Sequence, residues 1–209
     1  MKILVIAATD IELKPFLKAK HSCDILITGV GIAATVYQLQ KKIGQKKYDY
    51  IIQAGIAGTF DKTLGLGKTV IVKKDCFGDL GMEENGKFST LFDNGFLKKN
   101  TSPYSNGWLV NANKKLKQFS LPIVSAVTVQ KVSDSKKQTK QLIETFQPTI
   151  ESMEGAAFHY VCIQEKISFL QIRGISNHVG IRDKSTWKMK QAIENLNEEL
   201  ARVVLSLAV

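Results

Sequence analysis

Short apolar runs alternate along this chain with segments whose apolar residues recur at helical spacing. Residues 2–8 are almost wholly apolar and rich in Ile and Val, which is typical of a central strand covered on both faces. Strands that alternate with helices predict a three-layer α/β domain, in which helices flank a mixed central sheet. The predicted strands occupy residues 2–8, 24–28, 48–54, 68–76, 122–129, 149–153 and 168–175.

The remaining segments predict the helical layers and the loops. We expect helices at 11–18, 32–43, 133–146 and 188–208, a further helix that begins at Glu154, and a short helix near 112–119. Asp10 is suited to cap the first of these helices. Residues 77–88 lack helical spacing and predict a glycine-rich, acidic loop that reaches over a site. The 209 residues contain no repeat or linker, so we expect one domain spanning 1–209.

Composition excludes several classes of function. The formal charge of +10 is spread over separate lysine doublets instead of one basic stripe, so we expect no nucleic-acid partner. Apolar segments fall short of the ~18 to 20 residues of a membrane span, and the N-terminus lacks the pattern of a signal peptide, so we expect a cytoplasmic protein. The three cysteines share no metal-like spacing, and we predict free thiols, no metal and no cofactor.

Residues 150–177 carry two polar side chains at the ends of predicted buried elements. Glu154 begins a helix directly after a strand, and Asn177 follows the next strand. Ligands in open α/β sheets bind outside the carboxyl ends of the strands, which favours a site that contains both residues. Structural interpretations remain open, since Glu154 could only favour the helix dipole and Asn177 could only cap a turn.

The GVGIAA segment at 29–34 presents an alternative. Gly29, Gly31 and Ala34 fit the dinucleotide fingerprint, and Asp49 follows at a suitable distance, which would indicate a nicotinamide-dependent enzyme. The fingerprint usually follows the first strand of its unit, whereas the first strand here leads into ATDIE. Tight turns that approach a ligand or a packing partner also account for these glycines.

Several motifs resemble those of one enzyme family. SMEGAAF at 152–158 and RGISN at 173–177 resemble the ribose and base signature of the purine nucleoside phosphorylase and nucleosidase family. GDLG at 78–81, the wider segment ESMEGAAFHYVC, and FLQIR followed by SN and RD resemble its futalosine hydrolase branch in particular. This resemblance implies a nucleoside phosphorylase-like domain with a mixed, partly closed sheet. It also implies a small-molecule nucleoside substrate and a homodimer with the site near the interface.

The resemblance also implies roles for individual residues. Glu12 matches the carboxylate that takes a proton from water in the hydrolytic members, a general-base role worth about 10²- to 10⁴-fold. A carboxylate in the first helical turn can equally serve the helix alone. Glu154 would accept hydrogen bonds from the ribose hydroxyls, with Met153 packed on the sugar face. Gly58 and Val132 complete the predicted substrate-binding residues.

Asn177 departs from the adenine-releasing nucleosidases, which carry an aspartic acid that protonates N7. An amide cannot do so, but its NH₂ and C=O groups suit N7 and O6 of a 6-oxopurine. The leaving base is therefore expected to be hypoxanthine and not adenine. Together with this expectation, the resemblance implies hydrolysis of futalosine to hypoxanthine and dehypoxanthinylfutalosine, in menaquinone biosynthesis. Asn177 disfavours a methylthioadenosine or adenosylhomocysteine nucleosidase, and Glu12 disfavours a phosphorylase. A non-catalytic nucleoside-binding regulatory module on the same fold stays open.

Overall fold

A mixed eight-stranded sheet forms the centre of the computed structural model, which describes residues 1–132 and 134–208. The strands of this sheet and of a separate two-stranded hairpin are β1 (Ile3–Ala7), β2 (Asp24–Ile27), β3 (Tyr50–Thr59), β4 (Thr69–Asp75), β5 (Gly81–Glu84), β6 (Lys87–Thr90), β7 (Leu109–Val110), β8 (Ile123–Thr128), β9 (Ile150–Ser152) and β10 (Ser168–His178).

Five α-helices occur in the described residues, close to their predicted positions. They are α1 (Asp10–Leu17), α2 (Ile32–Gln45), α3 (Lys136–Phe146), α4 (Gly155–Gln164) and α5 (Met189–Ala208). Thr9 takes the N-cap position of α1 that we had predicted for Asp10. The predicted start of α3 at Ser133 lies outside the described residues, and within them Ser135 caps this helix by accepting a hydrogen bond from the backbone N–H of Gln138. The predicted short helix near 112–119 is a 3₁₀ helix.

Successive side chains of β1 point to opposite faces of the sheet, and each face contacts a different helical layer. Ile3 and Val5 face a core that contains Leu196 and other apolar residues of α1 and α5. Leu4, on the opposite face, contacts a second core, which includes Phe158 and other residues of α2 and α4. All five β1 residues are buried, as the continuous apolar run predicts. The three-layer α/β fold class is confirmed.

Five strands of the sheet close into a ring. β3 pairs with β10 on one edge and with β9 on the other, and β10, β4, β8 and β9 complete the circuit. Each ring strand contributes to a shared cluster of apolar side chains: Ala57, Val70, Val72, Ala126, Ile150 and Ile175. The partly closed sheet implied by the resemblance is thus present.

Two strands run further than the sequence predicts. We expected β3 to end at residue 54 and β10 at residue 175, but they continue to Thr59 and His178. The glycine-rich segment 55–58 lacks the apolar alternation of a strand. It is nevertheless extended because β10 pairs with it along its length. This partner is distant in sequence, so local pattern does not reveal it.

The predicted loop at 77–88 is wrong over its second half, where β5 and β6 form a hairpin. Its two-residue turn is Asn85–Gly86, and both residues have positive φ angles, 50° and 75°. Asn-Gly is the preferred sequence of a type I′ hairpin turn, so the signal was present in the sequence.

Gly174 allows α5 to pack closely against β10. A Cβ atom at this position would lie 2.5 Å from the backbone oxygen of Ala192. We expect Gly174→Ala to lower the free energy of unfolding by about 1–3 kcal/mol, because the helix has to shift. The matched control is Gly44→Ala in α2, where an added Cβ meets nothing within 4 Å. Denaturant unfolding should show equal or greater stability for this control, and equal losses in both variants would contradict the packing argument.

Candidate active site

The site lies beside a stretch of β3 that has no paired strand on one of its two edges. β1 pairs with β3 only through Gln53, and β9 pairs from Gly58. In the described part of the chain, residues 54–57 therefore have no strand partner on this edge. The gap lies beyond the carboxyl end of β1, where ligands bind in open α/β sheets.

A cavity of about 390 Å³ opens at this gap. Its volume falls in the range of small-molecule sites, roughly 300–1,000 Å³. The structure brings all of the predicted site residues to its lining: Glu12, Gly58, Val132, Met153, Glu154 and Asn177.

Glu12 serves both helix α1 and the cavity. Its Oε2 accepts hydrogen bonds from the backbone N–H and the hydroxyl of Thr9, at 3.0 and 3.1 Å, and these bonds fix the start of the helix. Its Oε1 accepts a hydrogen bond of 3.0 Å from the backbone N–H of Ile56, which lies in the stretch of β3 without a strand partner on that edge. The Glu12 carboxylate therefore stabilises the start of α1 with one oxygen and holds the exposed edge of β3 beside the cavity with the other.

Burial raises the pKa of Glu12 above its ordinary value of 4.5. The Ile56 N–H bond and the charge of Arg173 lower the pKa, whereas the nearby Glu154 raises it, and burial has the largest effect. A carboxylate with a raised pKa is a stronger base, which suits a group that accepts a proton near neutral pH.

Glu154 is held by the glycine loop that resembled a dinucleotide fingerprint. It occupies the N-cap position of α4, and its Oε1 accepts the backbone N–H of Gly31 at 3.1 Å. Gly31 has a φ angle of 91° and is itself the N-cap residue of α2. A left-handed turn that binds Glu154 accounts for this glycine without a cofactor.

Arg173 was not predicted as a site residue, although it lies between the two carboxylates. Its side chain is 1% exposed, and Nη1 lies 3.5 Å from Oε2 of Glu154. Nη1 also donates to the backbone oxygen of Ile56 at 3.3 Å, and Nη2 donates to Gln53 at 3.1 Å. A lone arginine inside the apolar run of β10 was the available signal, because a buried arginine requires partners.

Gly55 provides the space for this charged group. A Cβ atom here would lie 2.4 Å from Nη1 of Arg173 and 2.9 Å from Oε1 of Glu12. Glycine is therefore required at position 55, because the Arg173 guanidinium and the Glu12 carboxylate both occupy the space that a side chain would fill.

Asn177 lies within β10 and not in a turn. Its Oδ1 accepts the hydroxyl of Ser176 at 2.8 Å, and its Nδ2 donates to the backbone oxygen of His178 at 3.0 Å. These bonds orient the amide and leave its second N–H available to a ligand.

Arg182 also lines the cavity. Its guanidinium lies 5.2 Å from the ring centre of Trp187. Asp183 caps a short 3₁₀ helix, and Glu194 pairs with Lys190. Within the described residues, Arg182 therefore forms no ion pair with Asp183 or Glu194.

Two further features bear on function. The described residues contain no group of three or more His, Cys, Asp or Glu side chains that could hold a metal ion. None of the helices in the described ranges is long and apolar enough to cross a membrane.

The chain belongs to the phosphorylase superfamily, whose family model matches residues 3–208. Among curated proteins it is similar to the futalosine hydrolase of Thermus thermophilus, with 26% identity over 86% of this chain and 80% of that protein. It is also similar to the 5'-methylthioadenosine/S-adenosylhomocysteine nucleosidase of Colwellia psychrerythraea, with 24% identity over 88% and 82% of the two chains. The family resemblance inferred from the sequence is confirmed.

Solved structures share the fold. The futalosine hydrolase of Helicobacter pylori has a TM-score of 0.79 at 15% identity, covering 99% of this chain and 98% of its own. The Colwellia psychrerythraea nucleosidase, solved in complex with adenine, also has a TM-score of 0.79, at 19% identity and 98% and 94% coverage. The relatives include nucleosidases of both kinds.

We expect Arg173→Met to cost about 3–5 kcal/mol of stability, because it leaves buried carboxylates without their cation. Arg173→Lys should retain part of that stability. The matched control is Arg202→Met, which removes an exposed arginine paired with Glu199 and should change stability by roughly 0.5 kcal/mol or less. Denaturant unfolding compares the three variants. A loss in Arg173→Met no larger than that in Arg202→Met would show that the buried contacts contribute little.

Proposed function

We propose that the protein is an N-glycosyl hydrolase that converts futalosine to hypoxanthine and dehypoxanthinylfutalosine in menaquinone biosynthesis. The observation that carries this proposal is a cavity with a buried carboxylate, Glu12, and an oriented amide, Asn177, in its lining. The carboxylate suits water activation, and the amide suits a 6-oxopurine. Relatives named as futalosine hydrolases support the same substrate.

In the proposed reaction, Glu12 accepts a proton from a water molecule as the water oxygen bonds to C1′ of the ribose. The C1′–N9 bond breaks, and its electron pair leaves with the base. Asn177 donates a hydrogen bond to the base edge and stabilises the charge that builds there. The departing purine then takes up a proton from solvent.

Glu154 accepts hydrogen bonds from the ribose hydroxyls in this scheme, and its negative charge stabilises the oxocarbenium-like sugar. Met153 packs against the sugar. Arg173 acts as a positioning residue, because it holds the Glu154 carboxylate and the peptide group of Ile56, which in turn binds Glu12.

The charges around the cavity favour water over phosphate as the nucleophile. Three carboxylates line the cavity, Glu12, Glu151 and Glu154, whereas Arg182 is the one basic side chain among the described lining residues. Phosphate would approach an acidic surface, and the cation beneath it, Arg173, is already paired with Glu154. A neutral water molecule does not meet this repulsion.

The second candidate is methylthioadenosine or adenosylhomocysteine hydrolysis, which the Colwellia psychrerythraea relative supports. The amide of Asn177 argues against it, because adenine leaves most readily when N7 is protonated. A non-catalytic nucleoside-binding module would show binding without purine release. Incubation with futalosine, inosine and methylthioadenosine, with and without phosphate, separates these functions by chromatography of the products.

We also expect a cytoplasmic homodimer. Ile11 and Val30 line the cavity and are 62% and 57% exposed, so a second copy would cover apolar surface beside the site. Sedimentation analysis measures the oligomeric state, and a monomer at assay concentration would contradict this expectation.

Glu12→Gln should lower kcat for futalosine by about 10²- to 10⁴-fold, because the amide cannot take a proton from water. Glu144→Gln, on the exposed face of α3, is the matched control and should keep full activity. Because the pKa of Glu12 is raised, activity of the wild type should be present at higher pH and fall as pH drops through a value above 4.5. A folded Glu12→Gln protein with near-normal turnover would exclude the proposed role.

Asn177→Asp should lower the ratio of 6-oxo to 6-amino nucleoside cleavage. A protonated aspartic acid can deliver a proton to N7 of an adenine-type leaving group, whereas an ionised one repels O6 of the 6-oxo base. The measurement is kcat/KM for futalosine and its 6-amino counterpart at several pH values. An unchanged ratio would show that Asn177 does not contact the base.

A further inference from the structure

Helix α4 follows Glu154 directly, yet this N-cap residue does not cap it. The Glu154 side chain makes no capping hydrogen bond. Its Oε1 accepts the N–H of Gly31, and its Oε2 lies beside Arg173. The first N–H groups of a helix have no partner within the helix, so they need acceptors from elsewhere when the N-cap side chain supplies none. The start of α4 therefore depends on other residues.

Thr128, at the end of β8, supplies one of these acceptors. Its Oγ1 accepts the backbone N–H of Ala156 at 2.8 Å, and the same hydroxyl donates to Oδ1 of Asp75 at 3.0 Å. A hydroxyl has one hydrogen, so donating it to Asp75 leaves a lone pair of the oxygen for Ala156. Thr128 and Asp75 are both fully buried. The Asp75 carboxylate therefore orients the hydroxyl that caps α4.

Asp75 is the last residue of β4, and it joins neighbouring strands to the start of α4. Its Oδ1 also accepts the backbone N–H of Cys76 at 2.9 Å, and its Oδ2 accepts Nε2 of Gln171 in β10 at 3.3 Å. A Cβ atom at Gly155 would overlap the Asp75 carboxylate and the Gln171 amide. The glycine directly after Glu154 thus allows the carboxylate to lie against the first turn of the helix.

The charge of Asp75 suits this position. Burial raises the pKa of Asp75 to about 6, whereas the hydrogen bond from Thr128 and the charge of Arg173 lower it. The group is therefore ionised at neutral pH, and the N-terminus of a helix favours a nearby negative charge. The reaction scheme leaves this buried carboxylate without a role.

We propose that Asp75 is a positioning residue for the hydrolysis: acting through Thr128, it fixes the start of α4 and so holds the Glu154 carboxylate against the ribose hydroxyls. This inference rests on the proposed function, since it concerns the ribose of the same substrate. Arg173 holds the side chain of Glu154. Asp75 and Thr128 hold the backbone from which that side chain projects. Recognition of the ribose needs both.

Thr128→Val tests the proposal, because it removes the hydroxyl and keeps the shape of the side chain. The start of α4 then loses an acceptor, and Glu154 shifts relative to the ribose. The ratio of kcat/KM for futalosine to that for its 2′-deoxy counterpart should fall roughly tenfold, since the hydrogen bond from the 2′-hydroxyl weakens. A loss of folded protein lowers both values equally, so stability alone does not move this ratio. Thr128→Ser keeps the hydroxyl and should retain the ratio within about twofold.

The matched control is Thr69→Val in β4. Thr69 is 6% exposed, and its hydroxyl has no hydrogen-bond partner among the described residues. This control should leave the ratio within about twofold, because no helix start depends on the hydroxyl that it removes. If Thr128→Val does not fold, Asp75→Asn carries the test. It replaces a charged acceptor with a weaker, neutral one of similar shape and should lower the same ratio about threefold.

An unchanged ratio in folded Thr128→Val, or in Asp75→Asn where that variant carries the test, would overturn the inference. An equal fall in Thr128→Ser or Thr69→Val would also overturn it, because the hydroxyl contact would then not be the cause. If the wild type releases no purine from any nucleoside, the proposed function fails, and calorimetric binding of inosine and 2′-deoxyinosine tests the inference separately. The inference then requires that the wild type prefers inosine, that Thr128→Val narrows the preference, and that Thr128→Ser retains it.

Discussion

The buried guanidinium of Arg173 allows acidic groups to meet in an apolar gap of the sheet. It contacts Glu154 and the peptide group of Ile56, and the N–H of that same residue holds Glu12. Without a cation, two neighbouring carboxylates would raise each other's pKa and one would become protonated. The arginine also requires Gly55, where any larger residue would occupy its space. The Arg173 guanidinium, the two carboxylates, the Ile56 peptide group and Gly55 therefore depend on one another; we call this group the charged cluster.

The strand arrangement explains why the charged cluster lies at a cavity and not in the hydrophobic core. β3 continues beyond the end of β1 and meets β9 only at Gly58, so the backbone of residues 54–57 is open on one edge. The helices that follow β1 and β9 bring Glu12 and Glu154 to this opening. The resulting acidic cavity contrasts with the net charge of +10. Its local charge suits ribose hydroxyls and a cation-like sugar.

Much of this arrangement could be predicted from the sequence. Glu12, Glu154 and Asn177 follow apolar runs, and the carboxyl ends of such strands indicate a site. Arg173 was missed because its importance depends on the pairing between β3 and β10, which are distant in sequence. The extension of β3 through residues 55–58 depends on the same pairing. The hairpin turn at Asn85–Gly86 was different, since its signal was local.

The most direct test of the account is a crystal structure of the protein with an uncleavable C-nucleoside of a 6-oxopurine. The account predicts ribose hydroxyls on Glu154, a water molecule between Glu12 and the anomeric carbon, and the base edge at the amide of Asn177. A nucleoside bound with its ribose away from Glu154, or with Glu12 remote from the anomeric carbon, would contradict it.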